Sequence, residues 1–323
     1  MISRALGVRE ALVNLAGGIY LLARKSGGGR QKVRVVAINY HDISSRSFRE
    51  QIAYIQSHYN VLSPGAFLDW LNNKRVVDVP AVVITFDDGY LSFYEEVYPV
   101  LKEKELSVFL FVPTGLVGTD RYFWEDKLQV AFGKTSKAAV TIHEKKFRLY
   151  SRLYRRDFYE KILRYLRRLP EETRDVTVKD LAAQLEVEIT ESDMKQYQFL
   201  DWPRILEMDR SGLVVLGAHT VNHPNLKVLT EDAARYEVHE SKRKLEEMTG
   251  KPVYAFAYPY GDRLSFDGKV VEIVRQNGSL CAFTTILGDI PNRIEDRFTL
   301  PRVMLFDYQK KGALALKMNR CSR

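Results

Sequence analysis

Cysteine is nearly absent from this 323-residue chain: only Cys281 and Cys321 occur, so no disulfide framework holds it together. Long apolar runs are missing as well. The one N-terminal stretch of that character, residues 11–23, is broken by Asn14 and two glycines, and it is too short and too weak to span a bilayer. No clear small-residue cleavage site follows it. It reads instead as an amphipathic helix, packed on the rest of the chain or lying on a membrane surface, followed by a linker at residues 26–29. Cytoplasmic residence is the expectation, with peripheral membrane attachment as the alternative. Repeats and low-complexity tracts are lacking, which excludes fibrous and disordered classes. The net charge of +8 and a pI near 9.2 raise nucleic acid as a partner, but no recognised nucleic-acid motif accompanies them. The 18 tyrosines and 16 phenylalanines are spread along the chain rather than interleaved with a basic stripe, so no nucleic acid is expected.

What is present is enough apolar material, 46% of residues, for one large core and an appendage. Seven strand-like runs stand at residues 33–40, 81–88, 107–113, 213–220, 253–259, 280–286 and 299–305. Helix-length amphipathic segments such as 93–104, 232–249 and 269–277 separate most of them. This alternation predicts parallel strands with outer helices. Residues 121–199 break it, and a stretch of that length needs structure of its own. Helical periodicity at 157–168 and 178–185 predicts a small helical insertion. Between Lys145 and Arg168 it holds ten Lys or Arg against two acidic residues. A solvated basic face is the ordinary reading of such a patch, and an anionic glycan or lipid surface the other.

Two short stretches carry chemistry. Thr85-Phe86-Asp87-Asp88-Gly89-Tyr90 follows the β-branched run Ala81-Val82-Val83-Ile84, which puts two carboxylates at the C-terminal end of a buried strand. Active sites of α/β folds gather at that end. His219-Thr220-Val221-Asn222-His223 follows a second apolar strand, and one helical turn beginning there, with Pro224 in it, predicts both imidazoles on one side. Thr220 and Asn222 read as local hydrogen-bonding residues that shape that helix start. Neighbouring residues on a strand face opposite ways, so Asp87 and Asp88 cannot share a ligand unless the chain turns sharply, as Gly89 permits. Asp88, His219 and His223 are therefore the expected ligands of a divalent ion, an open set of two histidines and one carboxylate. Zinc is the first expectation, and cobalt, nickel, manganese or iron fit the same donors. Asp87 is then the base that takes a proton from water, whose pKa such an ion lowers from 15.7 to about 7.

With Phe256-Ala257-Tyr258-Pro259-Tyr260-Gly261 as a third block in altered form, this combination resembles the polysaccharide deacetylase family, the NodB-homology group of carbohydrate esterases. The resemblance covers roughly residues 33–119 and 200–308. It implies an irregular (β/α) barrel of about seven parallel strands, and metal-assisted removal of N-acetyl groups from N-acetylglucosamine-type glycans in bacterial exopolysaccharide or cell-surface metabolism. It makes Asp87 the base, Asp88, His219 and His223 the metal ligands, and Tyr260 the residue whose backbone N–H helps hold the oxyanion. Two departures stand out. Ala257 occupies the place of an arginine that orients the base in many members, and no histidine follows His239 to act as the usual late acid. His41, at the end of the first predicted strand, and Arg302, on the last, are the expected substitutes. Two other readings stay open: a metal-dependent amidase acting on a non-sugar amide, and a catalytically silent glycan-binding homologue. Tyr90, Trp124, Trp202 and Tyr260 suit stacking on sugar rings, or the core. The expected organisation is an N-terminal segment and linker (1–30), the barrel (31–120 with 200–310), the helical insertion (121–199) and a basic tail (311–323).

Overall fold

Seven strands lie side by side in the computed structural model in the order β10-β1-β3-β4-β7-β8-β9, every neighbouring pair parallel. They are β1 (Val35–Tyr40), β3 (Ala81–Phe86), β4 (Val108–Val112), β7 (Val214–Ala218), β8 (Ala255–Ala257), β9 (Cys281–Phe283) and β10 (Arg302–Met304). Residues 14–16, 34–291, 294 and 296–320 are described. The sheet nearly closes: Phe283 bridges to Leu300 just ahead of β10, with Leu300 N–H donating to the Ala282 carbonyl and Thr284 N–H to that of Leu300, both at 2.9 Å. All seven strands coincide with the predicted runs, and the irregular (β/α) barrel is borne out. A short extra strand, β2 (Asn60–Leu62), pairs with the first half of β3, while β4 pairs only with its second half, so the wall is split at its lower end. Ser44, Ser63, Thr230 and Asp267 cap helices around the barrel at Ser45–His58, Pro64–Leu71, Glu231–Thr249 and Gly268–Gln276.

Side chains on the strands sort by the two-residue period into two cores. Val36, Ile38, Val82, Ile84, Val108 and Leu110 face the outer helices. Val35, Ala37, Ala81, Val83, Phe109 and Phe111 fill the barrel, which the helix Pro64–Leu71 plugs with Phe67 and Trp70. Continuing the inward set two residues at a time reaches Asn39 on β1 and Thr85 then Asp87 on β3, so the interior turns from apolar to polar toward the C-terminal mouth. Gly217 on β7 is required by this packing: a Cβ there would lie 2.3 Å from the Phe111 ring. We expect Gly217→Ala to destabilise the barrel by about 1–3 kcal/mol through overpacking, read as a lowered urea midpoint at unchanged slope. Cys281, also inside, has its thiol pushed up to about 12 by burial and is no nucleophile.

Residues Asp120 to Gln198 form a separate compact unit in the chain between β4 and β7. Helices Trp124–Lys134, Arg152–Leu166 and Glu171–Leu185 enclose its own core of Leu128, Phe132, Leu149, Ile162 and Leu181. An antiparallel hairpin, β5 (Ala139–Ile142) with β6 (Lys145–Arg148), joins them and was not foreseen. Of the N-terminal segment only Asn14–Ala16 are described, with Asn14 donating to the Tyr308 carbonyl at 3.1 Å. The rest of residues 11–23, the 26–29 linker and Cys321 lie outside the described residues. Among the described residues no helix is long and apolar enough to cross a membrane.

Candidate active site

Asp87 continues β3 by donating its N–H to the Tyr40 carbonyl at 3.0 Å, and the chain then turns at once. Asp88 itself takes a φ of 73° and Gly89 one of 66°. Two successive left-handed residues swing the second carboxylate away from the first, as the expected sharp turn requires. The strained Asp88 conformation is held by the Leu200 N–H bond to the Gly89 carbonyl (2.9 Å) and by the Tyr90–Phe199 bridge.

The histidine motif works differently from the helical turn expected of it. Residues 219–224 are loop, and the next regular pieces are the short 3-10 turn Leu226–Val228 and the helix Glu231–Thr249. Pro224 is thus not in a first helical turn. Two non-glycine residues at positive φ, Thr220 (65°) and His223 (58°), fold the loop back so that the rings meet. Glu237 clamps it: one carboxylate oxygen accepts the N–H groups of Val221 and Asn222, the other the Asn222 side chain, all at 2.8 Å. On the other side the Thr114 and Gly115 N–H groups bond to the carbonyls of Thr220 and Val221. Thr220 and Asn222 do bond locally, but they shape this loop and not a helix start.

Nε2 of His219 and Nε2 of His223 lie 3.5 and 3.4 Å from the same oxygen of Asp88. One ligand atom from each residue falls within 4.8 Å of the others, the one such cluster among the described residues. His219 Nδ1 sits 2.7 Å from the Ala257 carbonyl, which can only accept, so the proton is on Nδ1 and the Nε2 lone pair is turned to the cluster. Ala257, where an arginine was looked for, therefore serves through its backbone. The donor set, its spacing and this fixed tautomer fit a divalent ion.

Asp87 is gripped from behind. Arg302 donates to both of its oxygens, at 2.8 and 2.7 Å, and Asn39 donates to one at 2.9 Å. Arg302 is fixed in turn by the Thr284 carbonyl and Thr85 hydroxyl, with Phe111 and Phe283 rings under its guanidinium. Burial alone would push the Asp87 carboxyl up; Arg302, His219 and His41 outweigh it and hold the group below the usual carboxylate range. At Asp88 burial is likewise overcome, by His41, His219 and His223. His41 reaches the same mouth, its Nε2 3.9 Å from an oxygen of Asp87 and of Asp88, with a third of its side chain in solvent. Tyr260 adopts a φ of 62°, accepts the Thr285 hydroxyl on its carbonyl and sets its ring edge-on to His223, centroids 4.9 Å apart. Asn39, Thr85 and Glu237 were missed; two-residue alternation from Val35 through Ala37 is the signal that pointed to Asn39. Of the other aromatics, Tyr90 is buried on Phe199, and Trp124 packs on the insertion core under Arg174.

A sequence profile described as polysaccharide deacetylase matches residues 74–281, more than half of the chain. The chain belongs to the polysaccharide deacetylase family. Such enzymes are hydrolases, and this deacetylase carries the resemblance read from its three motifs. YxkH of Bacillus subtilis (strain 168), named as a polysaccharide deacetylase, is 27% identical over 99 residues, 28% of this chain and 36% of that protein. The match thus spans about a third of that relative's length. Among solved structures, the deacetylase PplD of Streptococcus pyogenes, in complex with acetate, is 18% identical with a TM-score of 0.57, over 90% of this chain and 99% of that one. IcaB of Ammonifex degensii is 22% identical with a TM-score of 0.59, over 89% and 98%. At these identities the likeness is one of fold.

Proposed function

We propose that this deacetylase removes N-acetyl groups from N-acetylglucosamine-type glycans in a metal-dependent hydrolysis, in bacterial exopolysaccharide or cell-surface metabolism. The observation that carries the reading is the joint placement of the Asp88, His219 and His223 donors beside a carboxylate, Asp87, locked by Arg302. A divalent ion held by the three donors, zinc first among the candidates, would supply Lewis acidity to water and to the acetyl carbonyl.

The chain's own residues divide the rest of the work. Asp87, kept ionised, accepts the proton of the attacking water; its depressed pKa gives up some basicity in exchange for being always charged. Arg302 and Asn39 leave it no freedom to rotate toward the histidines. His41, one-third exposed and near both carboxylates, donates the proton that the departing amine needs. The backbone N–H of Tyr260 faces the oxyanion by resemblance, a contact of a kind worth roughly 2.7–4 kcal/mol of barrier. The presence of an imidazole in the mouth favours turnover over silent glycan binding.

Acetate release from N-acetylglucosamine oligomers tests the reading. The full chain loaded with zinc or cobalt should release acetate, stop on chelation and recover when metal returns. Metal-loaded protein that releases none would turn the reading toward a non-sugar amide or a binding role. Glu237→Ala, which frees the histidine loop without touching a ligand, is expected to weaken metal affinity about 10–100-fold, as removal of an outer partner usually does. Competition with a colorimetric chelator reads it, and wild-type affinity would show that the clamp does not matter.

A further inference from the structure

Deacetylation leaves unexplained a groove of about 590 Å³ in the insertion, between the β5–β6 hairpin and the helix Arg152–Leu166. Its floor is apolar: Ile142, Phe158 and Ile162 are buried members of the insertion core, and the Phe147 ring lies over Phe158 with centroids 4.9 Å apart. Its rim leaves large rings in water. Tyr150 and Tyr154 are 59% and 51% exposed and pack on each other at 4.6 Å, although both belong to a folded helix-and-hairpin unit with a core of its own. β6 is exposed at all four positions, and three of them are Lys145, Lys146 and Arg148. None of these three forms an ion pair among the described residues, whereas the acidic Asp157 in the groove is already matched by Lys161 at 2.7 Å. Lys145 shares Phe147's face of β6 and Lys146 and Arg148 take the other, so the groove joins an apolar floor and amphipathic rings to a hairpin wall that carries three cations without ion pairs along its exposed strand.

Those cations disfavour the family's own glycan as occupant. Acetylated amino sugars are neutral and gain nothing from them, and deacetylated ones are cationic and repelled. Charge complementarity favours an anion, and the apolar floor favours hydrocarbon beside it. A nucleic-acid duplex or an acidic polysaccharide presents charge without hydrocarbon, and a single strand, whose bases stack on rings, has no alkyl chains for the aliphatic part of the floor. An anionic bilayer offers both, with tyrosine rings at the headgroup level and lysine stems lying along the apolar surface toward phosphates.

We propose that this groove docks the deacetylase on the surface of an anionic lipid bilayer, Phe147, Tyr150 and Tyr154 entering the headgroup layer and Lys145, Lys146 and Arg148 meeting lipid phosphates. Each cation near such a surface is worth about fivefold in partitioning, so the three together give on the order of 100-fold.

Co-sedimentation of the full chain with vesicles tests it, comparing phosphatidylcholine alone with equal parts phosphatidylcholine and phosphatidylglycerol. The protein should bind the anionic vesicles and leave the zwitterionic ones. Lys145→Gln/Lys146→Gln/Arg148→Gln should lose on the order of 100-fold at low salt. Tyr150→Ser/Tyr154→Ser should lose the part of binding that survives high salt. Every variant retains residues 11–23, so the difference from wild type reports the groove alone. Urea midpoints equal to wild type show both variants folded whether or not the catalytic reading holds, and any acetate release from soluble oligomers should be unchanged in both. Equal partitioning of wild type and both variants overturns the proposal. So does binding to dextran sulfate or to single- or double-stranded DNA, lost in the charge variant, with no binding to vesicles.

Discussion

Replacing Arg302 with alanine is expected to destabilise the deacetylase by roughly 3–5 kcal/mol at neutral pH, the cost of stranding one partner of a buried ion pair. Asp87 and Arg302 are 2% and 1% exposed, and the guanidinium fork meets both carboxylate oxygens. Without it, Asn39 remains as a single neutral donor to a charge held away from water. The pH dependence has a definite sign. In the native protein the Asp87 pKa lies below its ordinary value, so the group contributes stability above the unfolded-state pKa and that contribution is lost as pH falls through the folded value. In the alanine variant burial is no longer outweighed by the guanidinium and the folded pKa rises. Protonation then relieves the variant as pH is lowered, and the gap to wild type narrows through the acidic range. Urea midpoints at neutral and mildly acidic pH measure it. Arg302→Lys should fall between, keeping the charge and losing the fork. An alanine variant as stable as wild type at neutral pH would mean that Asp87 reaches solvent or another cation. The Asp87→Asn/Arg302→Ala double variant should recover part of the loss, because the stranded charge is gone.

The same pair shows what a sequence discloses and what it withholds. Strand placement was legible because parallel strands buried on both faces read as near-continuous apolar runs, as Ala81-Val82-Val83-Ile84 and Val108-Phe109-Leu110-Phe111-Val112 do, whereas the stretch around β10 is interrupted by Pro301 and Arg302. The turn after Asp87 was legible because a glycine follows two carboxylates. The histidine loop was not. Spacing of four residues suits a helix, but the chain reaches the same juxtaposition through positive φ at Thr220 and His223, which costs backbone energy and is sustained by Glu237 some 15 residues on. Nothing local in the 219–224 stretch announces that clamp. The hairpin β5–β6 escaped for a different reason: β6 reads Lys-Lys-Phe-Arg, and an exposed edge strand has no alternating apolar signature to find. Asn39 lies between. It sits on the inward face of β1 by simple alternation, but its meaning depends on Asp87 arriving opposite, a register the pairing of Asn39 with Thr85 supplies.

Asp87→Asn and His41→Ala are each expected to lower turnover by roughly 10²–10⁴-fold, the range that positioned acids and bases contribute. Asparagine keeps the shape of Asp87, and its amide oxygen can still accept from Arg302 or Asn39, but it takes no proton. His41 is partly exposed and supports no core, so alanine there should leave the urea midpoint almost unmoved while the rate falls. Neither residue belongs to the three-donor cluster, and metal content should match wild type in both variants. What separates catalysis from general damage is the combination of the two. If Asp87 and His41 handle successive protons of one hydrolysis, removing the second after the first cannot cost its full factor again, and the double variant should sit near the slower single one. Acetate release under single-turnover conditions, at matched metal, gives the four rates. Losses that multiply would assign the two residues to independent effects, and a His41→Ala enzyme at wild-type rate would move the proton donor elsewhere in the mouth.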